Sequence, residues 1–428
     1  MLQYLVTISL NSECYTRQFP RNLYVNDSAL TMVVTESGFN HFISKFKQDT
    51  HRIIGTRFPD QNFHLNLGII AVDFKLSDII ITDFIVHEAF VILDENQQLQ
   101  MNIVNASAVF NFQWEFKQTS YPYTSDQGSG KIIIKDVSAH LTMQTDCSYD
   151  ECPNKMISNV LNVQIQIGVL HLQLSGGQSW IYQSMIELVI NAVKNILVGK
   201  VEIIAKEALI YGLNSLFIFY RPTKQYQNFQ DIIKDERYTN GWTVGKGYGA
   251  IMYSGYVYNQ NNFTDEYMQT SMLQPIILNR FNSHVQVIIQ AAAFNNVYYI
   301  FHKYYNSYST TDYTIPFAPY IEFYDQKALL TMQIIYQGVQ YTIKLAGNPL
   351  LQKIGDQSCA YFELQKYEMK PYNEILEDLV LQNMNSVIKN TCYMIMNNPF
   401  MDPYLSISRV KAILTQDDNS IRFLTNFE

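Results

Sequence analysis

The chain has 428 residues, of which 47% are hydrophobic and 16% charged, with a formal net charge of −8 at pH 7. This length exceeds one typical hydrophobic core and predicts about two to three domains, while the apolar content excludes a disordered chain. The acidic balance counts against nucleic acid as a partner and against electrostatic docking on anionic membranes, because both require clustered Lys and Arg.

The first residues contain a short apolar run at 5–10 without a preceding basic segment. We therefore interpret residues 1–21 as an N-terminal arm or a vestigial signal segment. The next periodic pattern, SGFNHFISKFKQDTHRIIG, predicts a helix because its apolar residues recur at helical spacing. They are Phe39, Phe42, Ile43, Phe46 and Ile53.

Extended segments with alternating apolar residues dominate the following region. FQWEFK places Phe112, Trp114 and Phe116 on one face, and KIIIKDVSAHLTMQ continues the pattern with Ile133 and Val137. Two longer segments, FHLNLGIIAVDFKL and VLNVQIQIGVLHLQL, shift the alternation by one residue midway. A β-bulge produces such a shift, so we predict two long, bulged strands in a strongly twisted antiparallel sheet.

Residues 177–217 predict a long helix with an unusually wide apolar surface. Its polar residues fall near one line, and the apolar ones fill most of the circumference, whereas an ordinary surface helix buries a stripe of about 100°. A wide apolar surface indicates either a surrounding sheet or contact with a ligand. The longest uncharged run of the stretch, residues 208–220, is shorter than the ~20 apolar residues of a membrane span, and no other segment of the chain reaches that length.

Residues 219–247 are polar and irregular, and we interpret them as a linker. The second half then repeats the order of the first, with strands, an apolar helix within NSHVQVIIQAAAFNNVYYIFHKYYN, further strands, and a long helix within YNEILEDLVLQNMNSVIKNTCYMIM. The final segment, ISRVKAILTQDDNSIRFLTNFE, predicts a hairpin with its turn at DDNS. The sequence thus predicts an internal structural repeat.

The cysteines and sequons bear on the compartment. Cys147 and Cys152 lie in CSYDEC, where a lone C-x4-C is weak evidence for zinc and a local disulfide is favoured if the compartment is oxidising. Asn26, Asn105 and Asn262 each begin an N-glycosylation sequon, which mildly supports a secreted protein.

The chain carries no sequence pattern typical of a catalytic site. It has neither an H-E-x-x-H zinc motif nor a G-x-S-x-G nucleophile motif. The glycines of TVGKGYGAIMYSG precede a predicted strand, whereas a phosphate-binding loop precedes a helix. We therefore expect a protein that is not an enzyme and that needs no metal or cofactor.

The layout resembles the family of bactericidal/permeability-increasing protein, lipopolysaccharide-binding protein, cholesteryl ester transfer protein and phospholipid transfer protein. The likeness is carried by ALTMVVTESGFNHFISKF, by FQWEFKQTSYPYTSDQGSGKIIIKDVSAHLTMQ and by NPFMDPYLSISRVKAILTQDDNSIRFLTNFE, and it extends over about residues 25–428. The resemblance implies an α+β fold shaped as an elongated boomerang. Two tandem barrels, each a twisted antiparallel sheet wrapped around a long helix, would occupy residues 22–218 and 248–428 and be joined by a central sheet.

Two departures from the family concern the disulfide and the charge. The family ties a strand to the long helix of its first domain, but residues 177–217 contain no cysteine. Cys359 and Cys392 occupy the analogous places in the second half, so the resemblance implies a bond between them. The defence proteins of the family bind endotoxin through a basic tip. The small basic cluster of Lys45, Lys47, Arg52 and Arg57 is not an obvious equivalent of that tip, which argues against a bactericidal role.

The resemblance implies bound phospholipid, with acyl chains between helix and sheet. The expected lipid contacts, each of which could equally be ordinary core, are Phe42, Ile43, Phe46, Ile181, Met185, Leu188, Val189, Ile196, Val297, Tyr298, Phe301, Leu376, Leu379 and Leu381. We expect a secreted or lumenal lipid-binding or lipid-transfer protein that meets membrane or lipoprotein-like surfaces transiently. The alternatives are an adaptor subunit of a larger assembly or homo-oligomer and, less favoured, an innate-defence endotoxin binder.

Overall fold

The structure is a computed structural model. It describes residues 28–48, 54–66, 71–94, 96, 98–121, 123–148, 155–176, 223–226, 229–236, 238–239, 242–261, 276, 278, 281–324, 326–354, 357–395 and 410–426. Antiparallel sheets predominate among these residues, together with three helices, so the α+β class predicted from the sequence is confirmed.

The first half contains one large antiparallel sheet. Its strands are β2 (Arg57–Phe58), β3 (Gln61–Asn66), β4 (Ala71–Leu93), β5 (Leu99–Gln118), β6 (Ser125–Ser148) and β7 (Lys155–Ser175). They lie in the order β2-β4-β5-β6-β7, and β3 also pairs with β4. The four strands from β4 to β7 are 20 to 24 residues long. The long strands that the alternation predicted are therefore present.

One of the two predictions of a long bulged strand is wrong. FHLNLGIIAVDFKL does not run as a single strand, because β3 turns back and pairs antiparallel with β4, placing His64 opposite Asp73 and Phe63 opposite Phe74. The chain has reversed its direction by Ala71, which pairs with Asn66, and a shift of alternation in the sequence cannot distinguish such a reversal from a bulge.

The other predicted strand is β7, and its register against β6 shifts beside Leu161, between the pairs Thr142–Asn162 and Met143–Val160, so an irregularity of the bulge type is present. The phase change predicted at Val169 and Leu170 has a different cause. Ile167 and Leu170 are both buried, yet β6 and β7 keep a constant register through this point. The strand opposite adopts a left-handed backbone at Asp136, with φ of 54°. A Cβ at Gly168 would meet the Asp136 side chain at 2.7 Å, so the close approach of the two strands requires this glycine.

A second, central sheet draws on both halves of the chain. Its order is β10 (Thr243–Gly245), β11 (Tyr248–Tyr253), β1 (Leu30–Thr35), β13 (Val285–Gln290), β20 (Ser420–Thr425) and β19 (Lys411–Thr415). The strand from the beginning of the chain, β1, lies between two strands of the second half, as its antiparallel registers with β11 and β13 show. The predicted C-terminal hairpin of β19 and β20 is confirmed.

The remaining strands form two smaller sheets. One has the order β12 (Val257–Asn259), β9 (Phe229–Asp235) and β8 (Thr223–Tyr226). The other has the order β14 (Tyr320–Tyr324), β15 (Lys327–Tyr336), β16 (Val339–Ile354), β17 (Gln357–Lys370) and β18 (Tyr393–Ile395). The expectation of an irregular backbone at 219–247 is wrong, because the strands β8, β9 and β10 lie in this range. The predicted domain limits remain a prediction.

Three helices, α1 (Glu36–Gln48), α2 (Ala291–Tyr305) and α3 (Glu374–Asn390), occur where the apolar periodicity predicts them. Asn373 caps the start of α3, since its side chain accepts a hydrogen bond from the Leu376 amide, and the helix has acidic residues in its first turn and Lys389 in its last. The α2 helix ends at Asn306 in a left-handed conformation. None of the described helices combines the length and apolar character that crossing a bilayer requires.

Candidate functional site

The large sheet carries a continuous apolar face. Alternate residues of β4, β5, β6 and β7 point to it, and each exposes between 2% and 9% of its surface. These residues are Val72, Phe74, Leu76, Ile79, Phe112, Trp114, Phe116, Ile132, Ile134, Ile167, Leu170 and Leu172. The face arises from the period-two alternation of the sequence, because successive side chains of a strand point to opposite sides.

Two large rings on this face depend on glycines of the neighbouring strand. A Cβ at Gly128 would approach the Trp114 ring to 2.8 Å, and one at Gly130 would collide with the Phe112 ring. Trp114 also donates its indole N–H to the Ser129 carbonyl at 2.9 Å, so its one polar atom is satisfied inside an apolar surface. The GSG sequence thus makes room for an aromatic surface.

Ile43 of α1 packs at the other end of the large sheet. Its buried neighbours are Val91, Leu93, Leu99, Leu141, Met143, Val160 and Val244. The helix is fixed there by Asn40, which donates to the Val91 carbonyl at 3.1 Å and accepts from the Val91 amide at 2.6 Å. Glu36 accepts from the Leu93 amide at 3.0 Å. Ile43 therefore lies at the contact of α1, the large sheet and β10.

In the second half, α2 and α3 share one large core. Val297, Phe301 and Leu376 each expose 0% of their surface and Tyr298 exposes 2%. Leu379 and Leu381 are partly buried and pack against the same core. The structure thus brings together all six lipid-contact residues predicted for this half. Protein atoms surround the four most buried ones, so acyl chains could touch them only if neighbouring side chains moved apart.

An aromatic cluster that was not predicted from the sequence fills the centre of this core. The Phe294 ring lies 4.9 Å from Phe362, 5.4 Å from Tyr393 and 6.4 Å from Phe323, measured between ring centroids. Phe323 and Phe362 occupy buried positions in two strands, YIEFY and SCAYFEL, whose residues alternate between buried and exposed. This alternation is the sequence signal that could have predicted their burial.

A charged pair lies inside the same core. Lys234 Nζ is 3.0 Å from Glu236 Oε1, and the two side chains expose 0% and 1%. The ammonium also lies 4.4 Å from the centroid of the Tyr393 ring. Burial, with smaller contributions from Tyr226 and Glu236, raises the pKa of the Tyr393 hydroxyl well above 10, so this hydroxyl stays protonated and donates to the Gly255 carbonyl at 2.7 Å.

The disulfide implied for the second half is confirmed. Cys359 of β17 is bonded to Cys392, which lies just beyond the end of α3, with a Cα–Cα distance of 5.7 Å. It closes a separation of 33 residues and fastens α3 to its sheet. Both cysteines are buried, at 2% and 7% exposure.

Several predicted residues lie outside the described part of the chain, namely Ile181, Met185, Leu188, Val189, Ile196, Cys152, Asn26 and Asn262. Phe42 and Phe46 belong to α1, and Cys147 belongs to β6, but their side chains are not among those described. The third sequon residue, Asn105, is exposed on β5 and has a left-handed backbone with φ of 56°.

Comparison with solved structures identifies the fold. The structure of lipopolysaccharide binding protein matches 94% of this chain and 99% of its own, at 12% identity and a TM-score of 0.60. The chain has the fold of lipopolysaccharide binding protein. The resemblance inferred from the sequence is thereby confirmed at the level of the fold.

Two further solved structures match less well. Takeout 1 of Epiphyas postvittana is 10% identical over 41% of this chain and 90% of its own, with a TM-score of 0.26. P47 from Clostridium botulinum A2 is 10% identical over 94% of this chain and 98% of its own, with a TM-score of 0.27. No model of a known protein family matches the sequence, and no curated protein does either.

Proposed function

We propose that this protein is a non-enzymatic lipid-binding and lipid-transfer protein that holds the acyl chains of phospholipid between its helices and sheets. The observation that carries the proposal is the match in fold to lipopolysaccharide binding protein over nearly the whole of both chains. Burying an acyl chain contributes about 0.8 kcal/mol per CH2 group. An apolar face as long as that of the large sheet suits such a ligand.

The proposed architecture is an elongated boomerang of two tandem barrels, each a twisted sheet around a long helix. Two observations support it. The central sheet combines β1 with strands of the second half. The units β1–α1 and β13–α2 also repeat each other, since each is a six-residue strand running directly into a helix whose fourth and fifth residues are Phe and Asn. In this proposal the two halves are versions of one lipid-binding unit.

The protein is proposed to work in a secretory compartment or outside the cell. The buried disulfide supports this, because such bonds persist in oxidising compartments. Glycosylation at the exposed Asn105 would agree with it. The protein would meet a membrane or lipoprotein-like surface transiently, when lipid enters or leaves.

The second candidate is a structural or adaptor subunit that retains the fold without carrying lipid. It is favoured by the interior of the second half, where Val297, Phe301 and Leu376 are fully surrounded by protein atoms. The solved structure with this fold is named for binding lipopolysaccharide, which would suggest an endotoxin binder. This function has less support, because the net charge of the present chain is −8 and lipopolysaccharide is anionic.

The test is uptake of fluorescent phosphatidylcholine from vesicles in which the label is self-quenched. We expect the full chain to extract about one or two labelled lipids per molecule, which elute with the protein in gel filtration and dequench. The chain unfolded in urea serves as the control. If no label elutes with the folded chain, the adaptor function replaces lipid transfer.

A further inference from the structure

A row of partly exposed side chains crosses the apolar face of the large sheet. Its members lie directly opposite one another on the four neighbouring strands β4, β5, β6 and β7. They are Ala89, Ile103, Ala139 and Ile165. Ile165 packs against the buried cluster around Trp114, and Ala89 packs against the buried cluster around Ile43. This row, the trough, therefore separates the two clusters and remains more accessible than either.

Small side chains make the face low at this place. Two members of the trough are alanines, and the next two rows toward Trp114 contain Ala106, opposite Val137, and Ala108, opposite Ile134. A methyl group reaches less far from a sheet than the large rings beyond these rows. Since neighbouring strands lie about 4.8 Å apart, four strands give the trough a length of about 15 Å.

The backbone is irregular at the same place. The register between β5 and β6 shifts between Ile103 and Ala106 and again between Ala106 and Ala108. Asn105 and Asp136, which lie in these segments, have left-handed backbones with φ of 56° and 54°. Bulges bend a strand and are frequent beside binding sites, because they change the direction of side chains. Accessibility, small side chains and bulges thus coincide.

The side chains of the trough are hydrocarbon only. The row next to it on the same face consists of Ala106, Val137 and Ile167, which are hydrocarbon as well. A polar group that enters such a place loses its hydrogen bonds to water without replacement, whereas a hydrocarbon chain gains free energy by leaving water. The chemistry of the trough therefore favours an acyl chain.

The corresponding sheet of the second half is closed. The residues of β15 that point into its core expose between 0% and 2% of their surface. They are Ala328, Leu330, Met332 and Ile334. The Phe294 ring of α2 packs in the same core, 4.9 Å from the ring of Phe362 on β17. Protein side chains alone fill this part of the second half.

We propose that the acyl chains of bound phospholipid lie across the strands in the trough, and that the first half alone holds lipid. The inference rests on the proposed function and deepens it, because it locates the site and sets the amount at one phospholipid per chain. The second half is then a structural unit whose core excludes lipid, although its strands and helices repeat those of the first.

The test is uptake of self-quenched fluorescent phosphatidylcholine by the full chain and by matched variants. Ala139→Leu enlarges a partly exposed side chain in the trough, and Ala328→Leu enlarges one that exposes 0% of its surface in the second half. We expect Ala139→Leu to keep the melting temperature of wild type and to take up about tenfold less lipid, and Ala89→Leu/Ala139→Leu to take up still less. We expect Ala328→Leu to melt at a lower temperature, because it overpacks a filled core, and to take up as much lipid as wild type.

Three results would overturn the proposal. They are unchanged uptake by Ala89→Leu/Ala139→Leu, lost uptake by folded Ala328→Leu, and two lipids on each wild-type chain by native mass spectrometry. If Ala328→Leu does not fold, the smaller change Ala328→Val takes its place. Wild type that takes up no lipid contradicts the proposed function itself, whereas lipid that is present but insensitive to the trough variants contradicts only the location of the site.

Discussion

Asn40 and Asn295 occupy the same position in corresponding helices and make the same contact. Each is the fifth residue of its helix, follows a Phe, and forms two hydrogen bonds with the backbone of one strand residue. Asn295 donates to the Ile321 carbonyl at 3.0 Å and accepts from the Ile321 amide at 2.7 Å, as Asn40 does with Val91. The side-chain amide thus pairs with the strand as another strand would, and it joins each helix to the edge of a sheet.

The first prediction is that Asn295→Ala destabilises the protein by about 2–4 kcal/mol. It removes two hydrogen bonds and leaves the amide and carbonyl of Ile321 unpaired in a buried position. Asn40→Ala should cost less, because the Asn40 bonds are partly exposed to water. Urea unfolding measures both. Asn390→Ala, at an exposed position at the end of α3, is the control and should change stability by less than about 0.5 kcal/mol. An equal effect of Asn295→Ala and Asn390→Ala would contradict this role.

The three described helices and most of the described strands could be predicted from local periodicity, whereas the long helix predicted at 177–217 lies outside the described residues. The pairing of β1 with β11 and β13 could not, because these partners lie more than two hundred residues further along the chain and no local pattern encodes them. The antiparallel return of β4 beside β3 could not be predicted for a related reason. A hairpin and a bulge both shift the alternation, and only the pairing distinguishes them.

The candidate site was predicted in part. Ile43, Val297, Phe301 and Leu376 are apolar residues on helix faces that turn inward, and the structure places all four in cores. Periodicity identifies the buried face of a helix, but it does not tell whether protein or lipid covers that face. The Phe-Asn pair shared by α1 and α2 was a visible sequence signal of the repeat.

The second prediction concerns the buried pair of Lys234 and Glu236. Lys234→Met should cost about 3–5 kcal/mol, because it leaves a carboxylate in the core without the ammonium beside it. The double variant Lys234→Met, Glu236→Met should recover most of this loss. Urea unfolding of both single variants and the double variant gives the coupling free energy. Additive effects of the two substitutions would show that the pair is not coupled.

The third prediction is that Asn105 carries an N-linked glycan when the chain passes through a secretory pathway. Asn105 is exposed, and asparagine tolerates its left-handed backbone. Intact mass before and after glycosidase treatment measures occupancy. Ser107→Ala removes the sequon while keeping Asn105 itself, and the mass shift at this site should then disappear. An unmodified Asn105 in secreted protein would contradict the prediction.

The fourth prediction concerns pH. Burial, and then the nearby His41, lower the pKa of His284 below 6.5, and the two rings lie 5.2 Å apart. Between that lowered pKa and 6.5 the unfolded chain binds more protons than the folded one. The contribution of His284 to stability is therefore complete above pH 6.5 and decreases as the pH falls through this window. His284→Gln should show a smaller loss of melting temperature between pH 7.5 and pH 5.5 than wild type. An equal loss in both proteins would show that His284 does not contribute.

Native mass spectrometry of the chain purified without detergent, followed by extraction and identification of lipid, tests the central claim most directly. We expect about one or two phospholipids bound to each chain and released when the protein unfolds. A mass equal to that of the bare chain with its glycans would contradict lipid binding and would show that side chains alone fill the apolar faces.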